Sequence, residues 1–164
     1  MKKILLTILA GVGVLLAVIL VGTYFQKQAS IKTAQSTKNV REGKISVELG
    51  NTMLFAEVSD TPEKRAKGLS DRSELASDEG MLFVFEQKDV QPQFWMKDML
   101  IPLDFLWIND DKIVQINENV QRPVSDSDIK TITPNIPIDY VLEVNAGYSV
   151  KNNLKIGEEV KINL

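Results

Sequence analysis

Two apolar segments in the middle of the chain limit what it can fold into. The run Met81–Phe85 is apolar at every position, which is typical of a strand that is covered on both faces. Along Ile101–Ile108, alternation places Phe105 and Trp107 on one face of a second strand and Asp104 on the other, among apolar neighbours. Both strands need cover on two sides, so they belong in the core of a β-rich domain.

The carboxylate of Asp104 needs a partner, because an ionised acid among apolar neighbours is costly to bury. The nearest cation in sequence is Lys97, in the run F-W-M-K, where extended backbone puts Trp95 on the same face as Lys97. Two interpretations remain open. The three residues form a structural ion pair beside an aromatic core residue, or they contribute to a binding site.

Cysteine and histidine are both absent from the 164 residues. Disulfides, thiol catalysis, a Ser-His triad and a zinc site of the His/Cys type are therefore excluded. Any catalysis would depend on Asp, Glu, Lys, Arg, Tyr or Ser. We predict no cofactor and no metal site.

The N-terminal segment predicts a membrane anchor. Residues 4–22 form an uncharged segment that is long enough to span a bilayer. Tyr24 and Phe25 follow it, at a position where interfacial aromatic residues are common. We therefore predict that residues 1–25 are a transmembrane signal anchor. The prediction implies a single-pass protein of the cell membrane with its C-terminal domain extracytoplasmic. A long cleaved signal peptide is the alternative.

Residues 26–43 are polar and lack apolar periodicity, so we interpret them as a flexible linker. Residues 44–164 then form the β-rich extracytoplasmic domain. This domain contains 13 Lys and Arg against 21 Asp and Glu, an excess of eight acidic residues. Nucleic-acid binding proteins present a basic face, so we expect no nucleic-acid partner. The expected partners are the membrane, through the N-terminal helix, and a small ligand.

Local patterns divide the domain into short strands and one helix. Residues 45–58 alternate on both sides of Gly50-Asn51, which predicts a hairpin, and residues 103–117 predict a second hairpin. Between them, Thr61, Pro62 and Gly68 suit the cap, first turn and end of a short helix. Strands near 140–144 and 160–164 complete a mainly β (α+β) fold. We predict a small closed or nearly closed β-barrel, since closure removes exposed strand edges.

Five sequence blocks resemble the signature of the domain-of-unknown-function 192 family. They are R-x-x-G-L at residues 65–69, E-G-M-L-F at 79–83, F-W-M-K at 94–97, I-P-L-D at 101–104 and Y-V-L-E-x-x-A-G at 140–147. The resemblance implies a compact, mainly β fold with a short helix, often in exported or membrane-anchored proteins of bacteria and archaea. It implies no established activity. Asp98-Met99 replaces the Asn-Thr that usually follows F-W-M-K in the family.

Four charged residues and one tryptophan in these blocks are the candidate ligand-binding set: Arg65, Trp95, Lys97, Asp104 and Glu143. If they converge at one mouth of the barrel, they suit a small polar or sugar-like ligand, with Trp95 as an apolar wall. If they do not, the pairs Lys97/Asp104 and Arg65/Glu143 are structural salt bridges.

Two functions remain open, and with them whether the protein is an enzyme. The first is a non-catalytic binding or accessory module for a small polar or envelope ligand, because no nucleophile and base are suitably placed. The second is an envelope-acting hydrolase that uses Asp104 and Glu143 as a carboxylate pair. Glycoside hydrolysis needs two carboxyl groups about 5–10 Å apart across an open cleft.

Overall fold

The computed structural model describes residues 21–27, 40–41 and 43–164. Residues 21–27 are helical. The predicted anchor, residues 1–25, and the predicted linker, residues 26–43, lie mostly outside the described residues. Within the described part of the chain, no helix has the length and apolarity needed to cross a membrane. A separate compact unit covers Val40–Leu164, so its boundary lies four residues before the predicted start at Lys44.

This unit is built mainly from strands, with two short helices. The strands are β1 (Val40–Arg41), β2 (Lys44–Leu49), β3 (Thr52–Ser59), β4 (Glu79–Val84), β5 (Phe94–Trp95), β6 (Leu103–Asn109), β7 (Lys112–Val120), β8 (Thr131–Ile132), β9 (Tyr140–Asn145) and β10 (Val160–Ile162). The helices are α1 (Pro62–Lys67) and α2 (Tyr148–Lys151), and a 3-10 turn covers Asp126–Asp128.

One large sheet has the strand order β1-β2-β3-β4-β9-β6-β7, and β10 also pairs with β2, further along the strand than β1 does. The hairpins β2–β3 and β6–β7 are antiparallel, as the sequence predicts. Strands β3 and β4 are parallel and are connected through α1. Strand β9 lies between β4 and β6 and is antiparallel to both.

The sheet curls, so that strands far apart in its order approach each other. The amide of Gly157 donates to Ile113 O at 2.7 Å, and a bridge joins Lys112 to Glu159, just before β10 pairs with β2. The sequence predicts a closed or nearly closed barrel. The structure shows a mainly β chain whose sheet is curled into a half-barrel.

The central strands β4, β9 and β6 are buried on both faces, and alternation divides their side chains between two cores. One core contains Leu82, Leu106 and Leu142 with the apolar residues of β2 and β3. The other contains Phe83, Phe105, Trp107 and Val141, and it is covered by Leu69, Met96, Met99 and Ile138 from outside the large sheet. The two-sided burial predicted for both central segments is therefore confirmed.

Helix α1 forms where the sequence predicts it. The Thr61 side chain accepts a hydrogen bond from the amide of Lys64 at 3.2 Å, and Pro62 occupies the first turn. Gly68 ends the helix at a positive φ of 48°, and its amide donates to Lys64 O. This ending turns the chain so that Leu69 enters the second core.

Strand β1 lies within the segment predicted to be a linker, and two further elements are also missing from the sequence prediction. The three prolines and the polar residues of 122–137 predict an irregular loop, but Thr131–Ile132 forms β8 and pairs with β5. The short helix α2 begins after Gly147, which has a φ of 80°. Both elements are too short for a periodic pattern, and long-range contacts decide whether they form.

Candidate functional site

A cavity of about 260 Å³ opens on the side of the sheet where the second core lies. Its walls come from the end of α1, the end of β4, the segment Pro92–Met99 and the central strand β9. Pockets for drug-sized ligands have volumes of about 300–1,000 Å³, so this one suits a smaller molecule. The residues that line the cavity include Arg65, Leu69, Phe94, Trp95, Met96, Met99 and Glu143.

Glu143 is the polar group at the centre of the sheet that reaches this cavity. Its strand places it between Met81 of β4 and Phe105 of β6, so its nearest cross-strand neighbours are apolar. The residue is 5% exposed. Its carboxyl group makes no hydrogen bond or ion pair with any residue that the structure describes. Burial raises the pKa of the Glu143 carboxyl group from an ordinary 4.5 to about 8, so the group is protonated at neutral pH.

Arg65 lines the same cavity from the last turn of α1. Its Nη1 donates to the backbone oxygens of Asp60 at 2.8 Å and Val84 at 2.9 Å. The guanidinium carbon lies 5.8 Å from the centre of the Phe85 ring, and Nη2 lies 3.9 Å from an exposed carboxylate oxygen of Glu86. Two carbonyls and an aromatic face thus fix the guanidinium group, while Nη2 keeps donor capacity for a ligand.

Trp95 forms an exposed wall of the cavity. The side chain is 54% exposed, although Phe94 and Met96 on either side of it are directed into the second core. Phe94 makes edge-to-face contacts with Phe83 and Trp107, at centroid distances of 4.9 and 5.7 Å. An aromatic surface held beside fixed polar groups is the usual composition of a small-ligand site.

The predicted pair between Lys97 and Asp104 is absent, and neither residue lines the cavity. Asp104 is fully buried, and its carboxylate accepts from the amides of Asn119 (2.8 Å), Gly147 (3.0 Å) and Ser149 (2.9 Å). Lys97 is exposed and joins no ion pair among residues 43–164. The sequence correctly indicates that Asp104 needs a partner, but backbone N–H groups supply it instead of a cation.

The second predicted pair, Arg65 with Glu143, is also absent, since Arg65 bonds to backbone oxygens. Nor do Asp104 and Glu143 share a cleft. Asp104 is paired with Val144 and Glu143 with Phe105, so the two carboxyl groups extend from opposite faces of the sheet. This arrangement does not match the two facing carboxylates of a glycoside hydrolase.

Several residues of the site escape sequence reasoning. Leu69, Met96 and Met99 line the cavity, but an apolar residue in a sequence is first assigned to the core. Gly80 has a different role, because a Cβ atom there would lie 2.7 Å from the backbone oxygen of Glu143. Its presence in the E-G-M-L-F block is the one signal that two strands approach closely. Among the described residues, no group of three or more acidic side chains is placed to hold a metal ion.

Comparisons with known proteins identify relatives of the domain. The model of the DUF192 family, described as "Uncharacterized ACR", matches residues 45–162. No match is found among curated proteins.

Two crystal structures resemble the chain. A proposed transcription regulator from Sinorhizobium meliloti is 33% identical with a TM-score of 0.67, and the match covers 75% of this chain and 96% of that protein. A protein of unknown function from Novosphingobium aromaticivorans is 29% identical with a TM-score of 0.65, covering 72% and 84% of the two chains. The family model covers more than half of the sequence, and the shared fold agrees with it. The chain therefore belongs to the DUF192 family.

Proposed function

We propose that the β-rich domain is a non-catalytic binding module that takes a small polar or sugar-like ligand in the cavity beside Glu143. One observation carries the proposal: Glu143 is buried, opens on a cavity and has no partner among the described residues. The Glu143 carboxyl oxygens are not among the described side-chain atoms that are fully enclosed without a partner, so they reach the cavity. A polar group that is unpaired in the protein and open to a cavity is positioned to bond to a ligand or to water.

The cavity walls support the same function. Arg65 is held in place before any ligand arrives, so binding need not order its long side chain. Trp95 offers an exposed aromatic face at the same cavity, against which the apolar face of a sugar ring can pack. Of the five residues predicted from the sequence, Arg65, Trp95 and Glu143 stay in the proposed site, and Lys97 and Asp104 are left out.

Binding is favoured over hydrolysis because the cavity contains one carboxyl group, and that group is protonated at neutral pH. Neither a second carboxylate nor a histidine lines the cavity to act as the base. The regulator description belongs to the Sinorhizobium meliloti relative. The acidic excess of the present domain opposes DNA binding.

A thermal-shift screen tests the proposed function. The full chain in detergent is heated with envelope sugars, peptidoglycan fragments and amino acids. A ligand selective for the folded state raises the melting temperature. We expect one class to do so for the wild type and for Leu100→Ala, but not for Trp95→Ala. Leu100 is the matched control, because it is 51% exposed and does not line the cavity. Stabilisation that survives in Trp95→Ala, or none from any class, contradicts the proposal.

We also propose that the uncharged residues 4–22 anchor the chain in the cell membrane with the domain extracytoplasmic. The prediction is tested by separating membranes from soluble protein and by adding protease to intact spheroplasts. We expect the domain to sediment with membranes and to be cleaved from outside. Recovery in the soluble fraction, or protection of the domain, contradicts this placement.

A further inference from the structure

We propose that Glu143 binds its ligand through a two-bond contact with a primary amide or a lactam, in which a carbonyl oxygen and an N–H lie on the same edge. The inference rests on the proposed binding function and names the chemical class of its ligand. It concerns the part of the cavity beside the central strand β9, where Glu143 is the carboxyl group on the lining.

The first step is that Glu143 presents both a donor and an acceptor. Its neighbours across the sheet, Met81 and Phe105, are apolar, and an unpaired charge at a position 5% exposed is strongly disfavoured. The other charged side chains that line the cavity are Arg65 and Lys67. Arg65 Nη1 is bound to two backbone oxygens, and Lys67 pairs with Asp71. The proton therefore stays on Glu143, which then carries one O–H donor beside one carbonyl acceptor.

The second step is complementarity. A protonated carboxyl group offers its donor and its acceptor in one plane and in the same direction, and a primary amide or lactam offers the reverse pattern at the same spacing. A hydroxyl group satisfies only one of the two atoms at a time. The trans amide of a peptide or an N-acetyl group places its C=O and N–H on opposite sides, so it also makes only one of the bonds.

The third step concerns the rest of the ligand. Leu69, Phe94, Met96 and Met99 line the cavity with apolar surface, and the volume is about 260 Å³. These walls suit a compact ligand of about the size of one ring that presents an apolar face. Two methionines adapt to the shape of such a ligand more easily than branched side chains do. Benzamide combines a single ring with a primary amide and is a suitable probe.

The two tryptophans allow ligand binding to be measured by NMR in the full-length protein. Trp95 lines the cavity, whereas the indole N–H of Trp107 is buried and donates to Asn117 at 2.7 Å. In an NMR spectrum of the ¹⁵N-labelled protein in detergent, the Trp95 indole signal reports binding and the Trp107 signal serves as an internal reference. Titrations at pH 6.5 compare benzamide with benzyl alcohol, which has the same ring but only a hydroxyl group, and with benzoate.

We expect benzamide to bind about tenfold more tightly than benzyl alcohol or benzoate, the difference that one additional hydrogen bond makes. Glu143→Gln keeps a donor beside an acceptor in the same shape, so it should keep this preference. At pH 9 the wild type should lose benzamide binding about tenfold, while Glu143→Gln should not. A residue with a purely structural role would not produce this difference between the two proteins.

Three outcomes overturn the inference: equal affinity for benzamide and benzyl alcohol, tighter binding of benzoate, or the same loss of binding at pH 9 in wild type and Glu143→Gln. Failure here is distinct from failure of the binding function. If none of the three probes shifts the Trp95 signal while a sugar stabilises the protein in the thermal screen, the amide contact is wrong and the binding module stands. If nothing binds in either experiment, both proposals fail.

Discussion

Replacing Glu143 by glutamine should stabilise the folded protein, and the gain should grow with pH. The pKa of Glu143 is about 8 in the folded state, against an ordinary 4.5. Between these values the folded state keeps a proton that the unfolded state releases, so the free energy of unfolding falls as pH rises. The slope is about 1.4 kcal/mol per pH unit. The accumulated loss is about 3 kcal/mol by pH 7 and about 4–5 kcal/mol above pH 8, a large part of the 5–15 kcal/mol typical of a domain.

The assay is urea unfolding of both full-length proteins between pH 4 and pH 9, followed by tryptophan fluorescence. The measured quantity is the free energy of unfolding of Glu143→Gln minus that of the wild type, since the other titrating groups cancel in this difference. We expect a constant value below pH 4.5, an increase between about 4.5 and 8, and a second constant value above 8. Glu86→Gln is the control for the loss of a carboxyl group, because the Glu86 side chain is 79% exposed.

A difference for Glu143→Gln that stays constant between pH 4.5 and pH 8 would refute the reasoning. It would show that Glu143 ionises in the folded state as it does in water, with a partner or with access to solvent. The neutral carboxyl group at the cavity, on which the proposed amide contact depends, would then be lost.

Four other substitutions separate structural residues from the residues of the site. Asp104→Ala leaves three backbone N–H groups without their acceptor, one of them fully buried. It should lower the free energy of unfolding in urea by about 3–5 kcal/mol. Lys97→Ala should change the same free energy by less than about 0.5 kcal/mol. If the two substitutions lowered the free energy of unfolding equally, the result would support an ion pair between Asp104 and Lys97. Gly80→Ala should cost about 1–3 kcal/mol, because its Cβ would approach the Glu143 backbone oxygen to 2.7 Å; a melting temperature equal to wild type would mean that the strands separate easily. Trp95→Ala should cost less than about 1 kcal/mol, since the side chain is 54% exposed, and a larger loss would make Trp95 a structural residue.

The elements that could be predicted from the sequence are those whose cause is local. The β2–β3 hairpin follows from alternation around Gly50-Asn51, and α1 follows from Thr61, Pro62 and Gly68. The parallel pairing of β3 with β4 has no comparable local pattern in the sequence, because residues 55 and 79 come together only in the complete fold. The same holds for β5 with β8, two-residue strands that form only against each other.

The residues of the candidate site also divide into those that the sequence predicts and those whose contacts depend on the complete fold. Arg65, Trp95 and Glu143 stand out as unusual residue types within the sequence blocks, and the structure gathers them at one cavity. Nearness in sequence favours Lys97 as the partner of Asp104. The actual partners are amides 15, 43 and 45 positions away, and any residue type supplies a backbone N–H.

The pairing of β10 with β2 has a consequence for how the protein is made. Val160 meets Leu49 and Ile162 meets Val47, so more than a hundred residues separate the partners. At synthesis rates of about 5–20 residues per second, β2 waits roughly 5–20 s for the strand that covers its edge. Until then the nascent chain carries an open strand edge that can pair with another chain. The interval between synthesis of β2 and of β10 is therefore when this domain is most vulnerable to aggregation, and when a chaperone would protect it most.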